Sequence, residues 1–239
     1  MREIILTGAT GGLGRCLAEE IVKLEIGNLI CIYRNQSKFD EIFGQNNHKI
    51  KKYLVSNHDD FSNMVKMLND SSDENITLIM NAFSILPIKR IGSFSLNEIE
   101  QAIDSNIVQN FVLLNAVIDF CQTNSKDLRV INIDSGAADF PLTGWGNYCA
   151  SKAFINSLLS VVALENRNYQ IVSFDPGVMD TDMQETIRAT DVKIFDQVET
   201  FVKYKAEGTL NDPSDVAKQI TKRYLSNWLA NDMREKYEA

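Results

Sequence analysis

Residues 4–14 read IILTGATGGLG, a short apolar run that leads into a glycine-rich turn. The apolar run predicts a buried strand over residues 4–7, and apolar residues at helical spacing predict a helix over residues 13–24. A second apolar run, residues 29–33, predicts another strand. A strand, a glycine turn, a helix and a strand in this order indicate a βαβ unit, which is a building block of parallel sheets.

The same alternation continues along the rest of the chain. Further strands are predicted over residues 52–55, 76–80, 129–133 and 170–174, and long helices over residues 96–121 and 148–165. We therefore predict an α/β protein: a single-domain Rossmann fold over residues 1–239, with a doubly wound parallel sheet and helices on both faces. Ligands of such folds lie beyond the carboxyl ends of the strands, so residues that follow strands are the candidates for chemistry.

The composition excludes several classes of function. The chain has 239 residues, of which 44% are hydrophobic and 23% are charged, as in ordinary globular proteins. Its formal net charge of −8 gives no basic surface for nucleic acid or an anionic membrane, so neither is an expected partner. No apolar run approaches the length that spans a bilayer, and no signal segment is recognisable at the start.

Cysteine and histidine usage indicates neither disulfides nor a metal. The cysteines lack C-x-x-C spacing, which favours a reducing cytoplasm as the location; they are Cys16, Cys31, Cys121 and Cys149. The histidines, His48 and His58, lie in polar stretches without a neighbouring cluster of ligands. We therefore expect a cytoplasmic protein without a metal site.

The glycine-rich turn is the candidate cofactor loop. A turn between a strand and a helix brings backbone N–H groups and the positive end of the helix against a pyrophosphate, and glycines allow the close approach. The alternative is a turn with a purely structural role. The candidate cofactor-binding residues of this turn are Gly8, Thr10, Gly11, Gly12, Leu13 and Gly14.

The end of the second strand bears on the choice of dinucleotide. An acid at this point binds the ribose diol of NADH, whereas an arginine can pair with the 2′-phosphate of NADPH. The strand is followed by Arg34 and Asn35, and no acid occurs until Asp40. NADPH/NADP is therefore the predicted cofactor, although Arg34 could also be an ordinary exposed residue at a strand edge.

Three residues form a candidate catalytic group. Tyr148 and Lys152 are spaced i and i+4 on a predicted helix, so their side chains share one face. Ser135 follows the predicted strand 129–133 and converges on the same crevice. Reduction of a carbonyl needs a proton donor, an ammonium lowers the pKa of a tyrosine, and a hydroxyl can hold the carbonyl oxygen.

These motifs resemble the short-chain dehydrogenase/reductase family of the NADPH-dependent type over nearly the whole chain. The resemblance implies that Asn106 anchors a proton-relay water near Lys152, and that Lys152 lowers the pKa of Tyr148 and contacts the nicotinamide ribose. It also assigns further residues to the nicotinamide part of the cofactor site: Asn81, Ala82, Pro176, Gly177, Val178 and Thr181.

A narrower resemblance is to the benzil reductase and sepiapterin reductase branch. It is carried by PIKR at 87–90, SGAA at 135–138, GW at 144–145 and PGVMDTDMQ at 176–184. It implies reduction of a small carbonyl compound, such as a vicinal dicarbonyl, with Ser135, Trp145, Tyr148 and Met183 at the substrate. It further implies a lid over residues 179–210, and a homodimer or homotetramer that pairs through the two long helices.

Three departures from the family pattern stand out. Phe83 occupies the position of a family glycine, which predicts a tighter or reshaped nicotinamide pocket. Leu54 replaces the acid that meets the adenine, which leaves apolar contact there. The glycine-containing closing strand is not evident in residues 227–239, where sepiapterin reductases keep an acid that recognises the substrate, so a pterin substrate is weakly supported.

Two other functions remain open from the sequence. Nucleotide-sugar epimerases and dehydratases have similar glycine spacing and a similar core. They add a large C-terminal substrate domain to this core, whereas only about 60 residues follow position 176 here. A sensor or scaffold that binds NADP(H) without turnover usually lacks the tyrosine or the lysine, and both are present here. The sequence therefore favours an active reductase.

Overall fold

The computed structural model describes residues 2–44, 49–68 and 75–238, and the described residues contain one seven-stranded sheet. Its strands are β1 (Arg2–Thr7), β2 (Asn28–Tyr33), β3 (Ile50–Leu54), β4 (Asn75–Met80), β5 (Asp127–Ile133), β6 (Gln170–Asp175) and β7 (Arg234–Lys236). Their order is β3-β2-β1-β4-β5-β6-β7, and every neighbouring pair is parallel. The order reverses between β1 and β4, where α/β sheets open a ligand crevice.

Helices connect these strands. They are α1 (Gly12–Leu24), α2 (Gln36–Phe43), α3 (Asp59–Val65), α4 (Leu96–Ile103), α5 (Gln109–Thr123), α6 (Gly146–Glu165), α7 (Asp182–Arg188), α8 (Val198–Ala206) and α9 (Pro213–Ile220). A π-helical turn, Asp104–Val108, joins α4 to α5, and a second one, Thr221–Ser226, follows α9. The predicted long helix over residues 96–121 is therefore continuous but contains a π turn.

The sheet is buried on both faces. In β1, Ile4 and Leu6 belong to a core cluster that includes residues of α1 and α9. Ile5, between them, belongs to a second cluster that includes residues of α5 and α6. All three side chains are fully buried, which explains why the strand is an uninterrupted apolar run rather than an alternating one.

The fold prediction is confirmed, with one strand added. All six predicted strands are present, in a parallel sheet with helices on both faces. The closing strand that the sequence did not reveal is β7, which pairs with β6. It has only three residues and reads Arg-Glu-Lys, so it carries no apolar pattern that could identify it.

The expectations about a membrane span and a metal site can be compared with the described residues. Among these, no helix has both the length and the apolar character that crossing a membrane requires. His58 Nε2 lies 2.6 Å from Asp104 Oδ1, and no group of potential metal ligands occurs in the described ranges. His48 lies outside the described residues.

The hydroxyl of Thr7 joins the carboxyl ends of the two central strands. Thr7 Oγ1 accepts hydrogen bonds from the backbone N–H groups of Asn81 and Ala82, at 2.9 and 3.0 Å. It donates to the carbonyl of Ile79. These bonds hold the residues that follow β4 against the residues that follow β1, which is where the candidate site lies.

We predict that Thr7→Val lowers the free energy of unfolding by about 1–3 kcal/mol, because two backbone N–H groups lose their acceptor. Thr77→Val is a matched control on the neighbouring strand. Thr77 is fully buried, and its hydroxyl has no hydrogen-bond partner among the described residues. Its replacement is expected to be neutral or stabilising in urea denaturation, and equal losses from both variants would contradict the role of Thr7.

Candidate active site

A cavity of about 590 Å³ lies at the carboxyl ends of β1, β4, β5 and β6. It brings together most of the residues that the sequence predicts for the site: Gly8, Thr10, Gly11, Gly12, Leu13, Arg34, Asn81, Ala82, Ser135, Trp145, Tyr148, Lys152, Pro176, Gly177, Val178, Thr181 and Met183. Asn35 lines an adjoining cavity of about 250 Å³ that shares Arg34 with the first. Gly14 and Asn106 line neither of these two cavities.

The glycine turn depends on two positions that exclude a side chain. Gly8 has a φ of +70°, which L-residues rarely adopt. A Cβ on Gly14 would lie 2.1 Å from the carbonyl oxygen of Gly8, so Gly14 lets the helix approach the turn. Helix α1 begins after Gly11 without a side-chain cap, which leaves its first N–H groups available to an anion. The turn therefore fits a dinucleotide pyrophosphate.

Two cations lie beside this turn. Arg34 is exposed and lines both cavities. Asn35 caps α2 by accepting a hydrogen bond from the backbone N–H of Lys38 at 2.9 Å. Lys38 lines the larger cavity, and its Nζ lies 3.9 Å from Asp182 Oδ2. The sequence analysis missed Lys38, although its place in the first turn of the helix that Asn35 caps could have indicated it.

Ser135 and Tyr148 lie next to each other in the cavity. Tyr148, near the start of α6, is 7% exposed, and its hydroxyl interacts with the side chain of Ser135. Ser135 Oγ also accepts a hydrogen bond from the backbone N–H of Ala137 at 3.2 Å. Burial raises the pKa of Tyr148 well above its ordinary value, and the interaction with Ser135 opposes this increase only in part. The phenol is therefore protonated at neutral pH.

Lys152 extends from α6 into the interior of the site. Its side chain is 2% exposed, and Nζ donates a hydrogen bond to the carbonyl of Ile133 at 2.6 Å. Burial lowers the pKa of Lys152 to about 7, while the negative charges of Asp134 and Asp175 oppose this decrease. The amine lies 5.7 Å from the centre of the Tyr148 ring.

The cavity has an aromatic wall. The ring of Trp145 stacks on Phe195 at 4.9 Å between centroids and meets the Tyr148 ring edge-on at 5.9 Å. Phe201 of α8 packs against both Trp145 and Phe195. Trp145 Nε1 is buried and has no hydrogen-bond partner among the described residues. The site thus combines hydroxyl groups with an apolar, aromatic surface.

A family model described as short chain dehydrogenase matches residues 2–192. The chain belongs to the short-chain dehydrogenase family. Members of this family are oxidoreductases that bind a nicotinamide cofactor, in agreement with the glycine turn and the Ser135, Tyr148 and Lys152 group at this site.

Curated relatives of this short-chain dehydrogenase include two enzymes named benzil reductase ((S)-benzoin forming). The one from Bacillus cereus is 33% identical over 92% of this chain and 92% of its own length. The one from Bacillus subtilis (strain 168) is 32% identical over 91% and 90%. The sepiapterin reductase of Mus musculus is more distant, at 26% identity over 90% and 88%. These relatives confirm the narrower resemblance.

Solved structures share the fold at low sequence identity. A short-chain dehydrogenase/reductase from Saccharomyces cerevisiae superposes with a TM-score of 0.88, at 19% identity over 100% of this chain and 97% of that one. The closed form of a serine dehydrogenase complexed with NADP+ gives a TM-score of 0.74, at 21% identity over 98% and 94%. At these identities the likeness shows the fold alone.

Asn106 lies behind the cavity of this dehydrogenase and is fully buried within the π turn. Its side-chain oxygen accepts a hydrogen bond from the backbone N–H of Ser84, and its Nδ2 donates to the carbonyl of Ser84, both at 2.8 Å. Asn110, one turn later, donates to the carbonyls of Ala82 and Asn106. The two amides fasten the segment that follows β4 to the helix behind it.

The C-terminal strand places a cation beside the site. Arg234 donates to both carboxylate oxygens of Asp139 at 2.7 Å and to Asp134 Oδ2 at 3.0 Å. The carboxylate of Asp134 is almost completely buried, and it also accepts a hydrogen bond from Asn156 at 2.8 Å. The sequence analysis missed these residues because their partners are about 100 positions apart.

The other family departures also have a position in the structure. Leu54 is 43% exposed and lines neither cavity, whereas the next residue, Val55, lines the smaller one. The ring of Phe83 lines the larger cavity and packs between two core clusters. The expected apolar contact through Leu54 is therefore corrected: the apolar side chain that lines the cavity here belongs to Val55.

Proposed function

We propose that the protein is an NADPH-dependent carbonyl reductase that acts on small aryl ketones, in particular vicinal dicarbonyl compounds. The observation that carries the proposal is the pairing of Ser135 and Tyr148 hydroxyls with the aromatic wall around Trp145 in one cavity. The identity to two benzil reductases over nearly the whole chain supports the same substrate class.

The cofactor would be held along one side of the cavity. Its pyrophosphate would meet the N–H groups at the start of α1, and its nicotinamide end would lie against the segment from Pro176 to Thr181. Asn81 supports this arrangement, because its Nδ2 donates to the carbonyls of Thr7 and Gly8 and fixes the turn. When bound, the reduced nicotinamide supplies the hydride that the carbonyl carbon accepts.

The chain's own residues would manage the charge on the substrate oxygen. Ser135 would donate a hydrogen bond to this oxygen, and Tyr148 would transfer its phenolic proton to it as negative charge develops. The Lys152 ammonium would stabilise the resulting phenolate. Asn106, as the family resemblance implies, would serve the proton relay that restores the phenol.

Tyr148→Phe tests the proton donor directly. The variant keeps the ring but loses the hydroxyl, so kcat for benzil reduction is expected to fall by about 10²-fold or more. The affinity for NADPH, followed by fluorescence titration, is expected to change little. Near-normal turnover by this variant would reject Tyr148 as the proton donor.

The aromatic wall offers a second contact to a dicarbonyl substrate. If one carbonyl oxygen lies between Ser135 and Tyr148, a small shift of the Trp145 ring would present its buried, unpartnered N–H to the neighbouring oxygen. Gln184, whose Oε1 also lacks a partner among the described residues, and Met183 line the same cavity. This arrangement would favour substrates with a second acceptor beside the reacting carbonyl.

The substitution Trp145→Phe distinguishes the contribution of the Trp145 N–H from that of its aromatic ring. The variant keeps an aromatic surface but has no N–H donor. It should therefore lose affinity for substrates that accept a hydrogen bond from Trp145 and keep its affinity for substrates that do not. We expect KM for benzil to rise about 5- to 10-fold, while KM for a monoketone such as deoxybenzoin changes less than about twofold. Equal changes for both substrates would show that Trp145 acts only through packing.

The cations beside the glycine turn support a preference for NADPH. Arg34 and Lys38 both line the cavity next to the turn, at the position where a 2′-phosphate is bound in this fold. The only charged neighbour that the described residues give Lys38 is Asp182, at 3.9 Å and largely exposed to solvent. Both cations can therefore turn towards a phosphate at small cost.

Neutral variants of these cations test the cofactor preference. Arg34→Leu and Lys38→Met are each expected to weaken NADPH binding about 10-fold or more, because each removes a charge-assisted contact to phosphate. NADH binding serves as the internal control and should change little. If both dinucleotides lose affinity equally, the cations do not contact the 2′-phosphate.

A further inference from the structure

The ring of Phe83 covers the amine of Lys152. Nζ lies 3.3 Å from the centroid of the ring, well within the distance at which a cation is attracted to an aromatic face. At this position the resemblance described above implies a glycine, which has no side chain to offer. The contact is therefore a property of this chain and not of the family pattern, which has a glycine at this position.

Lys152 has few other groups that can stabilise a charge. Among the described residues, its hydrogen-bond acceptor is the carbonyl of Ile133 at the end of β5. The charged groups that face it are Asp134 after β5 and Asp175 at the end of β6, and Tyr148 is its aromatic neighbour on α6. Neither carboxylate forms an ion pair with Nζ within 4.0 Å in the described part of the chain. The negative face of an aromatic ring is a substantial addition to this set.

The position of Phe83 is itself fixed from both sides. Asn106 bonds both backbone groups of Ser84, the residue after Phe83. The carbonyl of Ala82, the residue before it, accepts a hydrogen bond from Asn110, and the N–H of Ala82 is bonded to Thr7. Because its two neighbours are held, the ring has little freedom to leave the amine.

We propose that Phe83 is a positioning residue for Lys152: its ring face holds the ammonium in the buried site, and Asn106 keeps the ring in place by binding Ser84. The effect on catalysis rests on the proposed reductase function, in which a charged Lys152 stabilises the phenolate of Tyr148. The contact itself does not depend on that function.

The sign of the effect follows from the contact. A π face favours the charged form of the amine, so its removal lowers the pKa of Lys152 below the value of about 7 that burial already produces. The charged form would then be lost at a lower pH. Activity that requires the ammonium should decline at a correspondingly lower pH on the alkaline side.

The direct test is a titration of Lys152 in the cofactor-free protein. Protein labelled with 13C-lysine gives one signal for each Hε/Cε group, and Lys152→Arg assigns the relevant one by its loss. We compare wild type with Phe83→Leu, which removes the ring, and Phe83→Tyr, which keeps it. Phe83→Met replaces the leucine variant if that variant does not fold, as judged by circular dichroism.

We expect the Hε protons of Lys152 to be shifted upfield by the ring in wild type and Phe83→Tyr, and to lose this shift in Phe83→Leu. The pKa of Lys152 should fall by about one unit in Phe83→Leu and stay near the wild-type value in Phe83→Tyr. If the Hε chemical shift and the pKa of Lys152 keep their wild-type values in Phe83→Leu, the proposal is overturned, whatever substrate the enzyme reduces.

A kinetic test examines the effect of Phe83 on catalysis, and a further variant tests the positioning role of Asn106. The alkaline limb of kcat/KM for benzil should move to lower pH by about one unit in Phe83→Leu but not in Phe83→Tyr. Asn106→Ala, which frees Ser84, should lose part of the ring-induced shift of the Lys152 signal. An unchanged signal in Asn106→Ala overturns the positioning role of Asn106. If benzil is not reduced at all, the proposed function fails while the titration still decides the role of Phe83.

Discussion

The burial of one ammonium group, that of Lys152, places the strongest constraint on this site. A charged amine that is 2% exposed is unstable unless nearby groups replace the water it has lost. The carbonyl of Ile133, the carboxylates of Asp134 and Asp175, and the ring of Phe83 supply this replacement from three different strand ends. The positions of these groups are fixed by the parallel sheet, whose carboxyl ends all meet at one edge.

This constraint extends to the C-terminal strand. The carboxylate of Asp134 is also buried, so it requires donors of its own, which are Asn156 of α6 and Arg234 of β7. Arg234 can reach Asp134 because β7 pairs in parallel with β6, although only three residues form this strand. A short edge strand without apolar residues is thus stabilised in part by charge, and it contributes to the electrostatic environment of Lys152 and Tyr148.

The sequence predicted the parts of the site that depend on local patterns. Strand-turn-helix periodicity located the glycine turn, and the i, i+4 spacing of Tyr148 and Lys152 located the amine next to the phenol. The parts that it missed depend on contacts between distant segments. Lys38 meets the cavity because the start of α2 lies beside the glycine turn, where Lys38 Nζ is 3.9 Å from the point that a Cβ on Gly11 would occupy. The strand β7 is recognisable only through Arg234, whose partners lie far away in sequence. Local spacing carries no information about such contacts.

The four residues from Asn81 to Ser84 explain how the cofactor turn and the lysine site are coupled. Asn81 forms a hydrogen bond with the glycine turn, and Ala82 forms hydrogen bonds with Thr7 and Asn110. The ring of Phe83 contacts the amine of Lys152, and Ser84 forms a hydrogen bond with Asn106. Each consecutive residue therefore fixes a different element against β4. A shift of this segment would move the Lys152 partner and the pyrophosphate turn together, since the backbone groups of Asn81, Ala82 and Ser84 are all hydrogen-bonded. In this chain the bulky ring at position 83 makes that segment part of the electrostatic site as well as part of the cofactor wall.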